Sequence, residues 1–264
     1  MIIGSLLCVL SMINSRIFNK TMACEQEWMQ QRQLRVTASM VGAVVRARTE
    51  AVEKKLLEKH RSSEPQRCLP FPMQYGKIHE SKARQLYVEF MNRQGFDVTV
   101  YRCGLIVSQE HPYIGATPDG LCKTNSSQFP LLCLEIKTVY DNSFVPLPLE
   151  DVVKNRSNFY LGQQKTGDLY VKRSHQYYMQ IQTQLGVSKL KLAHLVVYLP
   201  RRQELRVFEV PFDPETWSNI VNKSESFFKR HMVSNMTELM DIDDAFVELK
   251  ALTSEAMDVT EVIN

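Results

Sequence analysis

The sequence lacks cysteine pairs of the CxxC kind. Its six cysteines, at 8, 24, 68, 103, 122 and 133, show neither that pattern nor a zinc-site spacing. This argues against a disulfide-stapled domain and against a structural zinc module. Cys103 and Cys133 instead read as small core hydrophobes in predicted strands. Thiols used this way fit a reducing, intracellular compartment, nucleus or cytoplasm. A long hydrophobic run is also missing. The most apolar stretch, Met1 to Leu10, is too short to cross a membrane. It has neither the basic n-region nor the small-x-small cleavage site of a secretory signal. Residues 1–22 are therefore expected to be an extension outside the fold, with Met22 as an alternative start; a secretory signal is the lesser alternative. No low-complexity tract, internal repeat or coiled-coil heptad is visible, so repeat, fibrous and membrane roles have no support.

What is present is enough apolar material for one large domain. The chain has 264 residues, 44% of them hydrophobic. The net charge of +3 hides a polarised distribution. Residues 234–264 hold eight acids and one lysine, a charge of −7, whereas the preceding 233 residues hold 31 bases and 21 acids, a charge of +10. A basic body favours a polyanionic partner such as nucleic acid. The acidic tail reads as a solvated helix rather than a mask over the basic surface.

Two short runs organise the chain: Gly115-Ala116-Thr117-Pro118-Asp119-Gly120 and Leu134-Glu135-Ile136-Lys137-Thr138. The first places an acid in a turn after an apolar strand. The second ends a predicted strand over 131–138, where residues two apart share a face. Glu135 and Lys137 then point to one side, and Leu134 and Ile136 to the other. If the Asp119 turn folds over the Glu135 face, two carboxylates and one ammonium become neighbours. Two such carboxylates repel unless a cation sits between them, and hard divalent cations prefer oxygen ligands. The alternative is a hairpin with a surface acid and a Glu–Lys strand pair.

The rest of the chain reads as follows. Trp28 opens a short amphipathic turn containing Arg32 and Arg35. A helix runs from Thr37-Ala38-Ser39 to Arg46, and its start suits either an anion grip or ordinary capping. A second helix covers 50–59, and 61–73 is a proline-rich loop. The strongest helix, 75–93, is closed by Gly95 and carries Glu80, which serves either the helix dipole or a third carboxylate position. Strands are expected over 96–107, 114–116 and 131–138. A loop over 140–148 and a short helix over 149–160 follow, then a polar segment, 161–168, that suits a mobile loop over a substrate. The helix over 172–185 shows Gln176, Gln180 and Gln184 along one face, suited to phosphate or water contacts or to plain solvation. Strands over 190–198 and 205–210 and a helix over 214–232 complete the order. This predicts an α/β (α+β) core, a central mixed β-sheet flanked by helices.

These signals together resemble the PD-(D/E)XK nuclease superfamily, with its restriction-endonuclease-like core, and more narrowly the lambda-exonuclease / YqaJ-like viral recombinase family. The residues that carry the resemblance are Gly76-Lys77-x-x-Glu80, Thr117-Pro118-Asp119-Gly120-Leu121, Leu134-Glu135-Ile136-Lys137 and Tyr178-Met179-Gln180-Ile181-Gln182. Trp28-x-x-x-Arg32 and Val36-Thr37-Ala38-Ser39 fit the family's opening motif. The resemblance spans about residues 27 to 230, which sets a nuclease domain over 23–233 and leaves the acidic tail, 234–264, outside.

By resemblance, Asp119, Glu135 and the backbone carbonyl of Ile136 would bind Mg²⁺, for which Mn²⁺ substitutes, with Glu80 completing the site directly or through water. Lys137 would activate the attacking water and Gln180 would contact phosphate or that water. Arg32, Ser39 and Thr117, with Gln182 a more distant neighbour, would hold a 5′-phosphate. Thr117 stands where relatives carry serine and keeps the hydroxyl. The resemblance implies a deoxyribonuclease acting on ends of double-stranded DNA, a 5′-to-3′ exonuclease of recombination, repair or a mobile element. It also implies a ring-shaped homotrimer and a single-strand annealing partner. Two alternatives are a catalytically silent DNA-end-binding scaffold of the same fold and a structure-selective endonuclease.

Overall fold

The structure, a computed structural model, describes residues 15–61 and 70–233. Its helices are α1 (Arg16–Ala23), α2 (Glu25–Gln33), α3 (Ala38–Arg46), α4 (Glu50–Arg61), α5 (Phe71–Arg93), α6 (Leu149–Asn155), α7 (Gln176–Ser188) and α8 (Pro214–His231). The strands are β1 (Val36–Thr37), β2 (Val98–Tyr101), β3 (Ile106–Val107), β4 (Ile114–Ala116), β5 (Gly120–Thr124), β6 (Leu131–Thr138), β7 (Leu161–Gln163), β8 (Leu169–Val171), β9 (Leu192–Leu199) and β10 (Glu204–Pro211).

The alternating run over 131–138 becomes the middle strand of a five-stranded mixed sheet in the order β10-β9-β6-β5-β2. Strand β6 runs parallel to β9 and antiparallel to β5. Leu132, Leu134 and Ile136 pack with Ala83, Tyr87 and Met91 of α5 on one face. Cys133 belongs to the opposite core, with Ile181 and Leu185 of α7 and with Val152 of α6. The sheet is thus a layer between α5 and the α6–α7 side, and β6 is covered on both faces. A third cluster, Val41, Val44, Leu57, Ile220 and Phe227, joins α3, α4 and α8. Helix α3 reaches α7 closely because residue 42 is glycine: a Cβ there would stand 2.6 Å from Gln176 Cβ.

The structure revises several expectations. Residues 1–22 are not all outside the fold. Helix α1 buries Phe18, and Thr21 Oγ1 accepts the Leu105 amide at 2.8 Å. That contact, with α1 pressed against Gly104, divides the strand expected over 96–107 into β2 and β3, and Cys103 falls between them. Strand β5 was not expected; it pairs with both β2 and β6. Helix α5 begins at Phe71 rather than at 75, because Pro72 in its first turn has no amide that an internal bond would need. The polar segment 161–168 is no free loop: its first strand, β7, pairs with β8, and Gly162 lies under the Tyr170 ring.

Cys24, Cys103, Cys122 and Cys133 are free thiols, and burial pushes Cys133 up to about 12, as befits a core hydrophobe. Among the described residues no helix is long and apolar enough to cross a membrane. The apolar start at 1–10, most of the proline-rich loop and the acidic tail lie outside the described residues.

Candidate active site

The Pro118-Asp119 turn folds onto β6. The Asp119 amide donates to Leu134 O at 3.0 Å, and Asp119 Oδ2 accepts the Ile136 amide at 2.7 Å. The turn is short and its acid is held by backbone on both sides, so its position follows from the β5–β6 register. Glu135 and Lys137 share the other side of the same strand end. Lys137 Nζ lies 2.5 Å from Glu135 Oε1. Gln180 of α7 donates to the same oxygen at 2.6 Å, and Gln184 donates to Oε2 at 2.5 Å.

Glu135 is therefore a buried carboxylate with both oxygens engaged, and its surroundings are otherwise those of a core strand. Burying a carboxylate is costly unless partners satisfy it. Here one ammonium and two neutral amides do so. Neutral amides hold the charge in place without cancelling it. Burial, and next the neighbouring Glu135 charge, push the Asp119 carboxyl well above the ordinary carboxylate range. Burial pulls on the Lys137 ammonium, but the Glu135 and Asp119 charges outweigh it and raise its pKa. With both carboxylates ionised the pocket would carry more negative charge than one lysine offsets, the condition under which a cation between them would be favourable. Lys137 Nζ also sits 4.2 Å from the Tyr177 ring centroid, a cation–π contact that limits where the ammonium can go.

These groups form the floor of a cleft of about 590 Å³. Gly76, Lys77 and Glu80 of α5 form one wall, and His175, Gln176 and Tyr177 another. Glu80 points into this space but is held by Arg84, whose Nη2 lies 2.6 Å from Glu80 Oε1 and 3.0 Å from Asp119 O. Among the described residues no group of three or more His, Cys, Asp and Glu side chains stands in metal-holding geometry. The site offers two close carboxylates, with Glu80 set back. That donor set does not suit zinc; it suits a hard cation that keeps waters of its own. His175 caps α7, its Nδ1 accepting the Tyr177 amide at 3.1 Å, which leaves its proton on Nε2.

A second cluster adjoins the first. Arg32 Nη2 donates to Ser39 Oγ at 3.1 Å, and Ser39 Oγ lies 3.2 Å from Thr37 Oγ1. Trp28 Nε1 donates to Thr117 Oγ1 at 3.0 Å, and the Arg32 guanidinium stacks 4.1 Å from the Trp28 ring centroid. Trp28 and Arg32 are one turn apart on α2, so one helix face sets both. Thr117 and Asp119 are two residues apart, so one turn serves both clusters. Thr37 occupies the N-cap position of α3, yet its hydroxyl caps no amide. The hydroxyls at this helix start face Arg32 instead, an arrangement suited to an anion.

The structure brings together Asp119, Glu135, Ile136, Lys137 and Gln180, with Glu80 on the wall, and separately Arg32, Ser39 and Thr117. It does not bring Gln182 to either group. Gln182 is fully buried, donating to Pro211 O at 2.9 Å and accepting the Asp213 amide at 2.8 Å. It ties α7 to the end of β10 and is no phosphate ligand. Sequence reasoning missed Arg84 as part of the site, had Trp28 only as a motif position, and had Gln184 only as one of three glutamines on a polar helix face. The i, i+4 spacing from Gln180 was the available signal for Gln184. Arg84 likewise stands four residues after Glu80.

A helix-flanked mixed sheet carrying an acid in a turn and a Glu-x-Lys strand end defines a PD-(D/E)XK nuclease fold. The chain belongs to the YqaJ-like viral recombinase domain family, whose model matches residues 27–191, more than half of its length. Solved structures agree on the fold. An alkaline exonuclease, LHK-Exo, from Laribacter hongkongensis superimposes with a TM-score of 0.54 at 21% identity, covering 89% of this chain and 99% of that one. SOX in complex with DNA gives a TM-score of 0.58 at 12% identity, covering 86% and 71%. KSHV SOX in complex with RNA gives 0.57 at 12% identity, covering 86% and 73%. No curated protein matches the chain.

Proposed function

We propose that the chain is a Mg²⁺-dependent deoxyribonuclease that digests double-stranded DNA from its 5′ ends, in nuclear or cytoplasmic recombination or repair or for a mobile element. One observation carries this reading. Glu135 is buried, held by Lys137, Gln180 and Gln184, and faces a cleft beside Asp119, a carboxylate that burial and this neighbour leave short of positive charge. The family membership, the basic body and neighbours solved with DNA or with dAMP support the nucleic-acid class of substrate.

Asp119, Glu135 and the Ile136 carbonyl would hold Mg²⁺ or Mn²⁺, and Glu80 would act through water. Such an ion neutralises charge developing on a phosphoryl group and eases deprotonation of water. The chain's own residues do the rest. Lys137, restrained by Glu135 and by the Tyr177 ring, sits where it can hold the attacking water. The Gln180 amide, bound to Glu135 on one side, keeps that carboxylate turned toward the cleft. Arg32, Ser39 and Thr117 would hold a terminal 5′-phosphate, which selects ends over internal sites. A full-length protein with end-labelled duplex should release nucleotides only with a divalent cation, and Asp119→Asn should remove that release while keeping the fold. Equal cutting by wild type and Asp119→Asn would end this reading.

A further inference from the structure

The loop that leaves β6, residues 140–148, has five of its backbone carbonyls held by arginines. Arg156 Nη2 donates to Tyr140 O at 2.8 Å. Arg201 Nη1 donates to Asp141 O at 3.2 Å and to Ser143 O at 2.6 Å, and its Nη2 reaches Phe144 O at 3.4 Å. Arg202 Nη1 donates to Pro146 O at 3.1 Å. From inside, the buried Asp141 carboxylate accepts the amides of Ser143 and Leu147, both at 3.1 Å. At the tip of this rigid loop Phe144 is 99% exposed and Val145 is 65% exposed.

A single exposed apolar side chain is ordinary on a protein surface. The combination is what distinguishes Phe144: an aromatic ring wholly in water on a backbone that three guanidiniums have already ordered. Ordering a loop in advance removes an entropic cost that binding would otherwise carry. We propose that Phe144 is a preorganised base-stacking contact, placed to lie against a nucleobase of the DNA entering the cleft. The inference rests on the nuclease reading for its substrate.

Two features select a nucleobase over a protein surface. First, the loop is continuous with the cleft: Val139 and Tyr140 line it, and Asp141 is the next residue. Tyr140 itself packs edge-on against Phe71 and Tyr75 of α5, with centroids 5.1 and 5.4 Å away, which fixes the start of the loop against the cleft wall. Second, the loop's base carries three arginines against two carboxylates: Arg156 and Arg201 share Asp141, and Arg202 pairs with Glu204, which leaves a net positive charge that favours a phosphate backbone passing over it. All three arginines keep between 37% and 39% of their side chains exposed.

The test uses the full-length chain without divalent cation and a duplex carrying 2-aminopurine near one end. Wild type should raise the 2-aminopurine emission on binding as the base is drawn from its neighbours. Phe144→Ala should lose that rise and bind about tenfold more weakly or worse, the order of effect that aromatic stacking on a base supplies. The salt slope should stay the same, because no charge is lost. Phe144→Trp should restore both signals. An exposed side chain carries little of the fold, so unfolding temperatures should match. Wild-type affinity and emission in Phe144→Ala would overturn the proposal, as would loss of self-association with DNA affinity unchanged, which would assign the ring to a second copy. Cutting with Mg²⁺ is scored separately. Binding that depends on Phe144 without any cutting would sink the nuclease reading and keep this one.

Discussion

Gln184 and Glu135 meet inside the protein, the amide nitrogen 2.5 Å from Oε2, with Gln184 wholly buried. The bond fixes one oxygen of a carboxylate whose other oxygen faces Lys137 and Gln180. An amide at 184 therefore orients Glu135 without facing the cleft itself.

Gln184→Met keeps the volume and removes the bond. It should destabilise the protein by about 1.5–3 kcal/mol, the usual scale for losing a hydrogen bond to a charged group. With Glu135 as the proposed metal ligand, it should also raise the Mg²⁺ concentration needed for half-maximal digestion by about 10- to 100-fold, as the loss of an outer partner of such a ligand commonly does. Metal titration of the rate, beside thermal unfolding, separates the two effects. An unchanged metal requirement would mean that Gln184 only packs.

Arg32 stacks on Trp28 and donates to Ser39 on the rim of the second cluster. Arg32→Gln should reduce the preference for 5′-phosphorylated over 5′-hydroxyl duplex by about 10- to 100-fold, the span of one charge-assisted bond. The ratio of digestion rates on the two ends is the measurement. A ratio equal to that of wild type would place the terminal phosphate elsewhere.

Phe18 is 2% exposed and packs into the main core. Phe18→Ala should cost about 3–5 kcal/mol, the usual loss for a buried phenylalanine. Denaturant unfolding reads this directly. A cost below about 1 kcal/mol would return α1 to the status of an appendage.

His194 is buried on β9 with its Nδ1 2.9 Å from the Tyr87 hydroxyl. Burial holds its pKa down at about 4. Glu209 is 3.9 Å away but mostly exposed, too weak a partner to retain the proton. An imidazole with a depressed folded pKa binds its proton more readily when unfolded. Its contribution to stability is then complete above the unfolded value and is lost as pH falls from about 6.5 toward 4. The loss should approach about 3 kcal/mol at 1.36 kcal/mol per pH unit. His194→Gln should flatten that part of the stability curve, and unfolding measured between pH 7 and 4 will show whether it does.

Much of the site was legible along the chain because it depends on backbone periodicity. Alternation over 131–138 is a property of any strand, so Glu135 and Lys137 had to share a side. The Pro118-Asp119-Gly120 turn made a return of its acid toward the Glu135 strand one of two open readings, and the bond from the Ile136 amide to Asp119 decided between them. The i, i+4 spacing of Gln176, Gln180 and Gln184 placed them on one face of a helix. Order and type of these elements also carried the fold class, and the polarised charge carried the class of partner.

Local spacing says which residues share a face, but not what that face meets. Gln180 and Gln184 could have been solvated; they are bound to Glu135 because α7 packs across β6 from about 45 residues away in sequence. Gln182 could have faced a ligand, yet the same packing buries it against Pro211 and Asp213. Residues up to 22 read as an extension because only the approach of Gly104 and Leu105, some eighty residues on, gives Phe18 and Thr21 their partners. The sequence by itself determined the strand, the turn and the types of groups they carry. Tertiary packing decided which buried carboxylate is satisfied, by which amides, and which polar residues are left facing the cleft, since burial and hydrogen-bond pairing are settled between segments distant along the chain.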